Sequence, residues 1–267
     1  ESAIKHPLRI LSTALGVPRD QEAKILELSN RLFAPDDEEL GGGTAPQDFA
    51  KLGQEFLELF LPIIQDRRQH PTGDLASVLA NGQVNGEPMG PMETLGYYLI
   101  VFNAGHDTTK NALAGGIRAL VEHPEQFEKV RRDPSLVRST VEEILRYEPA
   151  VHHFRRTATQ DTEIRGRKIR ENDPIIIWYP AANRDEEIFA DPDRFDVSRH
   201  PNEHTSFGIG EHFCAGAHVA RLEMEVAYKH LLPRIEEIEL AGPPERLYSA
   251  LVGGVKHLPI RYRLKPA

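Results

Sequence analysis

The chain has 267 residues, of which 40% are hydrophobic and 27% charged, so it can bury a sizeable apolar core as one large domain or two modest ones. Its net charge of −9 argues against non-specific binding to nucleic acid, which needs a basic surface. No apolar run is long enough to span a membrane, and nothing at the start resembles a signal peptide. The single cysteine permits no internal disulfide, which is typical of the reducing cytoplasm.

The first part of the chain predicts helices. Apolar residues recur at helical spacing in residues 21–33 and again in residues 49–68, and an acidic, glycine-rich segment at 35–46 separates the two runs. The sequence starts at Glu1 with a segment typical of the middle of a domain. We therefore expect the working protein to contain residues on the N-terminal side of Glu1.

A turn and a long helix are predicted next. The pairs Asn81-Gly82 and Asn85-Gly86 favour a tight turn. No proline occurs in residues 92–122, so the sequence predicts one unusually long helix that ends at His123-Pro124. Residues 97–102 of this helix are all apolar or aromatic, and such a helix is normally buried on every side. In a chain limited to these residues, we expect one side of it to lie open.

The second half mixes short strands, loops and helices. A helix is predicted from Ser135 to Arg146, with Pro134 in its first turn and Pro149 closing it. The other predicted elements are a strand-turn-strand around Gly166 in residues 162–169, a strand at 174–180, a loop-rich segment at 181–213 and a helix up to Pro233. The predicted fold class is mainly α with a small β region.

We expect one domain with four parts along the chain. These are a helical part at about 1–148, a β and loop region at about 149–206, a cysteine loop with its following helix at 207–233, and C-terminal strands and loops at 234–267.

The only cysteine, Cys214, lies in the stretch FGIGEHFCAG at residues 207–216. A lone cysteine is usually a small buried hydrophobic residue. Here, however, Gly208, Gly210 and Gly216 allow positive φ angles and a close approach of the backbone to a ligand. The positive end of the helix that follows would stabilise a thiolate, which is the form that binds metal.

Two metal sites are considered for this stretch. A zinc site could draw on His200, His204, His212, Cys214 and His218, but the spacing is not that of a zinc finger and no second cysteine is present. The spacing Phe207-x-x-Gly210-x-x-x-Cys214-x-Gly216 resembles the ligand loop of the cytochrome P-450 (haem-thiolate) family. This resemblance implies that Cys214 is the axial ligand of a haem b iron and that Phe207, Gly208 and Gly216 frame the cofactor.

The predicted long helix carries a second match, AGHDTT at residues 104–109. It resembles the oxygen-binding groove of that family. The resemblance implies that Ala104 and Gly105 open the hydrogen-bond ladder of the helix and that Asp107 and Thr108 relay protons. Taken alone, the stretch also fits a helix with ordinary polar residues.

Two further matches concern ion pairing. Glu143 and Arg146 resemble the ExxR element of the family, and their spacing of three places them on one helical face, where a surface pair would contribute only about 0.5 kcal/mol. Residues 192–195 resemble its PxRF element. The resemblance implies that Arg194 joins Glu143 and Arg146 in a buried structural triad.

The remaining candidate residues also rest on the resemblance. It implies that Arg156, His204 and His212 bind the haem propionates, although each could be a solvated loop cation. It also implies a mainly apolar substrate pocket, although each residue could equally be core packing. The pocket candidates are Leu99, Phe102, Val151, His152, Phe154, Leu251 and Val252.

Together, these matches imply the C-terminal two thirds of a bacterial cytochrome P-450 fold whose N-terminal part is missing. The implied function is a haem-thiolate monooxygenase that inserts one oxygen atom of O2 into an unactivated C–H bond of a hydrophobic, terpenoid- or steroid-like molecule. Electrons would come from a ferredoxin or flavodoxin. The alternative is a non-catalytic haem-binding scaffold or an inactive fragment, and the Asp107-Thr108 pair favours catalysis.

Overall fold

A computed structural model describes residues 2–42 and 45–265 and confirms the predicted class, mainly α with a small β region. The helices are α1 Ser2–Ala14, α2 Glu22–Phe33, α3 Phe49–Gln69, α4 Leu75–Ala80, α5 Pro91–Glu122, α6 Pro124–Arg132, α7 Val137–Tyr147, α8 Tyr179–Ala182 and α9 Ala217–Leu231. The strands are β1 Gln83–Val84, β2 Glu87–Pro88, β3 His153–Thr157, β4 Thr162–Ile164, β5 Arg167–Ile169, β6 Pro174–Trp178, β7 Ile235–Leu240, β8 Glu245–Arg246, β9 Val255–His257 and β10 Ile260–Leu264.

The chain forms two compact units whose boundary lies inside α5, between Ala114 and Gly115. The N-terminal unit comprises the residues up to Ala114 together with Leu247–Ser249, and the C-terminal unit comprises Gly115–Arg246 with the residues from Ala250 onward. The expectation of one domain with four parts along the chain stays a prediction.

The N-terminal unit is built from α1 to α4 and the first part of α5. Its core contains Phe56 and Phe60 from α3, whose rings are stacked, and Tyr98 from α5. The buried Tyr98 hydroxyl donates to the Ala76 carbonyl at 2.5 Å, which satisfies its one polar group. A single fully buried side chain of this size contributes about 1.5–3 kcal/mol, so each of these rings stabilises the unit.

The predicted turn is present as a hairpin of β1 and β2. Asn85 and Gly86 form its two-residue loop with φ angles of 53° and 85°, the left-handed pair that such a hairpin requires. The Asn81-Gly82 pair is not part of this turn, because Asn81 is the C-cap residue of α4.

The C-terminal unit packs α7 against α9 and carries β3 to β10 as antiparallel pairs. The strand-turn-strand expected around Gly166 is the β4–β5 hairpin, and β3 pairs with β6. Gly116 of α5 lies in this unit, where a Cβ atom would come within 2.1 Å of the Tyr228 hydroxyl and 2.7 Å of Ile144 Cδ1. Glycine is therefore required where α5 meets α9 and α7.

The long helix was predicted from Met92 to Glu122 and runs from Pro91 to Glu122. Tyr98 and Phe102 on it are buried, whereas Met92, Tyr97 and Ile100 are exposed. One side of α5 therefore lies open, as its apolar circumference led us to expect. No described helix is both long enough and apolar enough to cross a membrane.

Candidate functional site

The cysteine loop has a defined backbone. Gly208 and Gly210 take φ angles of 74° and 76°, a conformation that other L-residues rarely adopt. The Cys214 backbone N–H donates to the Phe207 carbonyl at 2.9 Å, and the Cys214 carbonyl accepts from the Ala217 N–H at 3.2 Å. These bonds hold Cys214 directly before the first turn of α9.

Cys214 is exposed, so it is not the buried structural thiol that a lone cysteine usually is. The apolar side chains beside it in the loop are exposed too, with 76% exposure at Ile209 and 48% at Phe213. A thiol held at a helix N-terminus and flanked by uncovered apolar side chains suits a flat apolar group that binds through its metal. The residues of this loop therefore fit haem.

Two of the three predicted propionate partners also fit. His212 is exposed on the loop, and Arg156 is half-buried on β3, where its guanidinium donates to the Arg155 carbonyl at 3.0 Å. No carboxylate among the described residues pairs with Arg156 in the structure, so most of its N–H groups remain available for an anion.

The environment of His204 contradicts the prediction that this residue binds a haem propionate. Its side chain is only 2% exposed, and its Nε2 lies 3.0 Å from Glu142 Oε2. Its Nδ1 accepts from the Ser206 N–H at 3.3 Å. Both ring nitrogens are thus engaged within the protein, and a spacing of three before Phe207 could not show this burial.

The predicted ion network is present around Glu143 and Arg146, both of whose side chains are fully buried. Nε and Nη2 of Arg146 donate hydrogen bonds to the two carboxylate oxygens of Glu143 at 2.8 and 2.9 Å. Its other N–H groups donate to the carbonyls of Asn183, Pro192 and Arg194 at 2.7–3.0 Å. All five guanidinium N–H groups therefore have acceptors, as a buried charge requires.

The third member of the network is Arg199, and the prediction of Arg194 is wrong. Arg199 Nε lies 3.2 and 3.3 Å from the two Glu143 oxygens. The Arg194 side chain is instead 60% exposed and 3.9 Å from Asp196, and only its backbone carbonyl joins the network. The path of the loop decides which guanidinium is buried. The available signal was a second arginine, five residues after Arg194.

In the N-terminal unit, the Thr108 hydroxyl donates to the Ala104 carbonyl at 2.6 Å. α5 runs through Ala104 and Gly105 without a break, contrary to the expectation that these residues open its hydrogen-bond ladder. Gly105 has a packing role, because a Cβ atom there would lie 3.0 Å from Leu11 Cδ1 of α1.

Asp107 is buried and accepts a hydrogen bond from Lys110, one turn further along α5. The neighbouring His106 is also fully buried, with its Nδ1 at 3.9 Å from Asp107. Burial lowers the pKa of His106 to about 4, although the Asp107 charge raises it, so His106 is neutral at neutral pH. The sequence analysis did not identify Lys110 as the partner of Asp107, although their spacing of three on a helix indicates such a pair.

The seven predicted pocket residues differ in exposure. Phe102 and Val252 are fully buried core residues, which contradicts their prediction as substrate contacts. Leu99, Val151, His152 and Leu251 are half-buried, and Phe154 is exposed. Within the C-terminal unit, Val151 bridges Val252, and the His152 N–H donates to the Leu251 carbonyl at 2.9 Å. The residues with uncovered surface remain candidates.

The zinc alternative finds no support in the geometry. Across residues 2–42 and 45–265, no three His, Cys, Asp or Glu side chains come together as a set that could hold a metal ion. One of the residues proposed for zinc, His204, instead hydrogen-bonds to Glu142.

Comparisons with known proteins agree with this geometry. A family model for cytochrome P-450 matches residues 43–247. The chain is 39% identical to cytochrome P-450-terp of a Pseudomonas species, over 98% of this chain and 63% of that protein. It is 34% identical to linalool 8-monooxygenase of Pseudomonas putida, over 94% of this chain and 62% of that protein.

Solved structures show the same similarity. The crystal structure of CYP108D1 from Novosphingobium aromaticivorans matches with a TM-score of 0.85 and 41% identity, over 98% of this chain and 62% of that one. The chain thus spans less than two thirds of the length of these relatives.

Proposed function

The chain belongs to the cytochrome P-450 family, whose cofactor is haem b, and from this premise we propose that it is the haem-binding part of a monooxygenase. The proposed reaction inserts one oxygen atom of O2 into an unactivated C–H bond of a hydrophobic small molecule. The observation that carries the proposal is the exposed Cys214 thiol on a loop with two left-handed glycines.

In this proposal the Cys214 thiolate would hold the haem through its iron. When bound, a thiolate-ligated haem supplies the chemistry that activates O2. Phe207, Gly208 and Gly216 would frame the cofactor, and the guanidinium of Arg156 and the ring of His212 would hold its propionates by charge-assisted hydrogen bonds.

Proton delivery is assigned to the acid-alcohol pair on α5. The Asp107 carboxylate would accept a proton from the Lys110 ammonium, which already donates a hydrogen bond to it, and release that proton toward the distal side of α5. The Thr108 hydroxyl would turn from the Ala104 carbonyl to donate a hydrogen bond there. The intact pair is the feature that favours an enzyme over a non-catalytic haem-binding scaffold or an inactive fragment.

The substrate is proposed to be terpenoid- or steroid-like. This is supported by the mainly apolar character of Leu99, Val151, Phe154 and Leu251, and by the relative named for its action on linalool. A ferredoxin or flavodoxin is the proposed electron donor. The single cysteine, which permits no internal disulfide, fits a cytoplasmic location.

Absorption spectra of the purified protein, with and without reductant and carbon monoxide, test this function when followed by a turnover assay. We expect the red-shifted reduced carbonyl band of a haem-thiolate protein and oxygenated product. A protein without a Soret band would contradict haem binding. A normal spectrum without turnover of any hydrophobic substrate would favour the scaffold.

A further inference from the structure

We propose that Glu142 is a positioning residue for the loop that carries Cys214. The inference rests on the proposed function, because the shape of this loop matters most when its thiolate must bind iron. Glu142 lies on α7 beside Glu143, yet it has its own partners outside the buried network of Glu143 and Arg146.

Glu142 joins three segments of the C-terminal unit. Arg221 of α9 forks onto it, with Nε 2.7 Å from Oε1 and Nη2 2.9 Å from Oε2. His204, from the segment before the loop, lies 3.0 Å from Oε2. Burial raises the pKa of Glu142, but hydrogen bonds from His204 and Arg221 outweigh it and lower the pKa to about 2. The carboxylate is therefore charged at neutral pH.

Both partners of Glu142 contact the ring of Phe207. The Arg221 guanidinium carbon lies 4.5 Å from the ring centroid, and the His204 ring is tilted against it at 6.0 Å. A guanidinium held by a carboxylate fork keeps its orientation, which favours stacking on an aromatic face.

Phe207 passes this restraint to the cysteine. Its backbone carbonyl accepts the Cys214 N–H at 2.9 Å, and its ring lies 6.3 Å from that of Phe213, the residue before the cysteine. A shift of Phe207 would therefore move Cys214. Glu142 therefore restrains the position of the thiol through the side chains of Arg221 and His204 and the ring of Phe207 that both contact.

The test is Glu142→Gln in the haem-loaded protein, with two readouts. One is the fraction of the reduced carbonyl complex that shows the red-shifted band. The other is the rate at which a thiol reagent labels Cys214, the only thiol of the chain. We expect a smaller red-shifted fraction and labelling faster by about fivefold or more, because a hydrogen-bonded charge is removed.

A matched control is Glu128→Gln. Arg131 forks onto Glu128 at 2.9 and 2.7 Å, the same geometry as at Glu142, but both residues belong to α6. This variant should match the unmodified protein in both readouts. Arg221→Lys keeps the charge and loses the fork, so we expect it to behave like Glu142→Gln and not to preserve the loop.

The proposal is overturned if Glu142→Gln matches Glu128→Gln in both readouts, even if its melting temperature falls. It is also overturned if Arg221→Lys matches the unmodified protein. Absence of the red-shifted band in the unmodified protein would instead contradict the proposed function. The labelling rates of Cys214 would still decide the role of Glu142 in that case.

Discussion

At the scale of single residues, two side chains carry most of the proposed chemistry. Cys214 is exposed at the start of α9, and Thr108 is bonded to the carbonyl one turn before it on α5. Neither side chain contributes much to packing. Substitutions there should therefore change spectra and product yields far more than they change folding stability.

The first prediction concerns the iron ligand. Cys214→Ser keeps the size of the side chain but removes the thiolate, so the reduced carbonyl complex should lose its red-shifted band. His218→Ala, a change at the exposed second residue of α9, serves as the control and should keep the band. Persistence of the band in folded Cys214→Ser would show that Cys214 is not the ligand.

The second prediction concerns proton delivery. Thr108→Ala removes the hydroxyl that we assign to donating a proton, so oxygen uptake should continue while more of it ends as hydrogen peroxide and less as product. Simultaneous measurement of oxygen, peroxide and product gives the coupling. Thr109→Ala is the neighbouring control, because Thr109 is buried on another side of α5. Unchanged coupling in Thr108→Ala would contradict its role.

At the scale of elements, the buried network ties α7 to the loop at residues 190–199. Glu143 accepts from Arg146, Arg199, Asn202 and the Asp196 N–H. Arg199 also donates to three backbone carbonyls of the same loop. The loop therefore depends on these two guanidinium groups for its path.

The third prediction separates Arg199 from Arg194. Arg199→Ala removes one of the two guanidinium partners of the fully buried Glu143 carboxylate, together with three hydrogen bonds to the loop backbone, and should lower the free energy of unfolding by about 1–3 kcal/mol. Arg194→Ala removes an exposed side chain and leaves the bonded carbonyl, so its effect should stay within about 0.5 kcal/mol. Glu143→Ala should cost roughly 3–5 kcal/mol and lower haem content. Denaturant melts compare the three, and equal effects at Arg194 and Arg199 would contradict the assignment.

The sequence predicted regular elements better than loops. The length of α5 and the Asn85-Gly86 hairpin follow from proline placement and from local φ preferences, which act within a few residues. The roles of Arg194 and His204 depended on which side of a long loop faces inward. That choice is made by contacts with α7, for example from Arg199 to Glu143. The spacing offered two arginines, and only these contacts decide between them.

At the scale of the whole molecule, large apolar side chains remain exposed in both units. In the N-terminal unit they include Met92, Tyr97 and Ile100, and in the C-terminal unit Phe154, Ile176, Trp178, Ile209, Val219 and Leu222. Exposed apolar surface of this kind normally marks a site of contact. The relatives that match the chain are longer, and this chain spans 63% of one of them.

The fourth prediction follows from that surface. A protein produced as these 267 residues alone should carry less than one haem per chain and should bind an apolar dye. Intact mass, haem content and dye fluorescence on one preparation provide the measurement. A monomer of this mass that is replete with haem and turns over substrate would contradict the prediction.

The hairpin of β1 and β2 also determines where the stored protein is first deamidated. An asparagine before glycine loses ammonia when the next backbone nitrogen attacks its side-chain carbonyl, and water then opens the ring to aspartate or isoaspartate. Asn85 is exposed and nothing crowds Gly86, whereas the Asn81 amide is held by the carbonyls of Arg67 and Ser77 at 3.0 and 2.9 Å. Stored protein should therefore form an acidic variant at Asn85 first, visible by isoelectric focusing and peptide mapping.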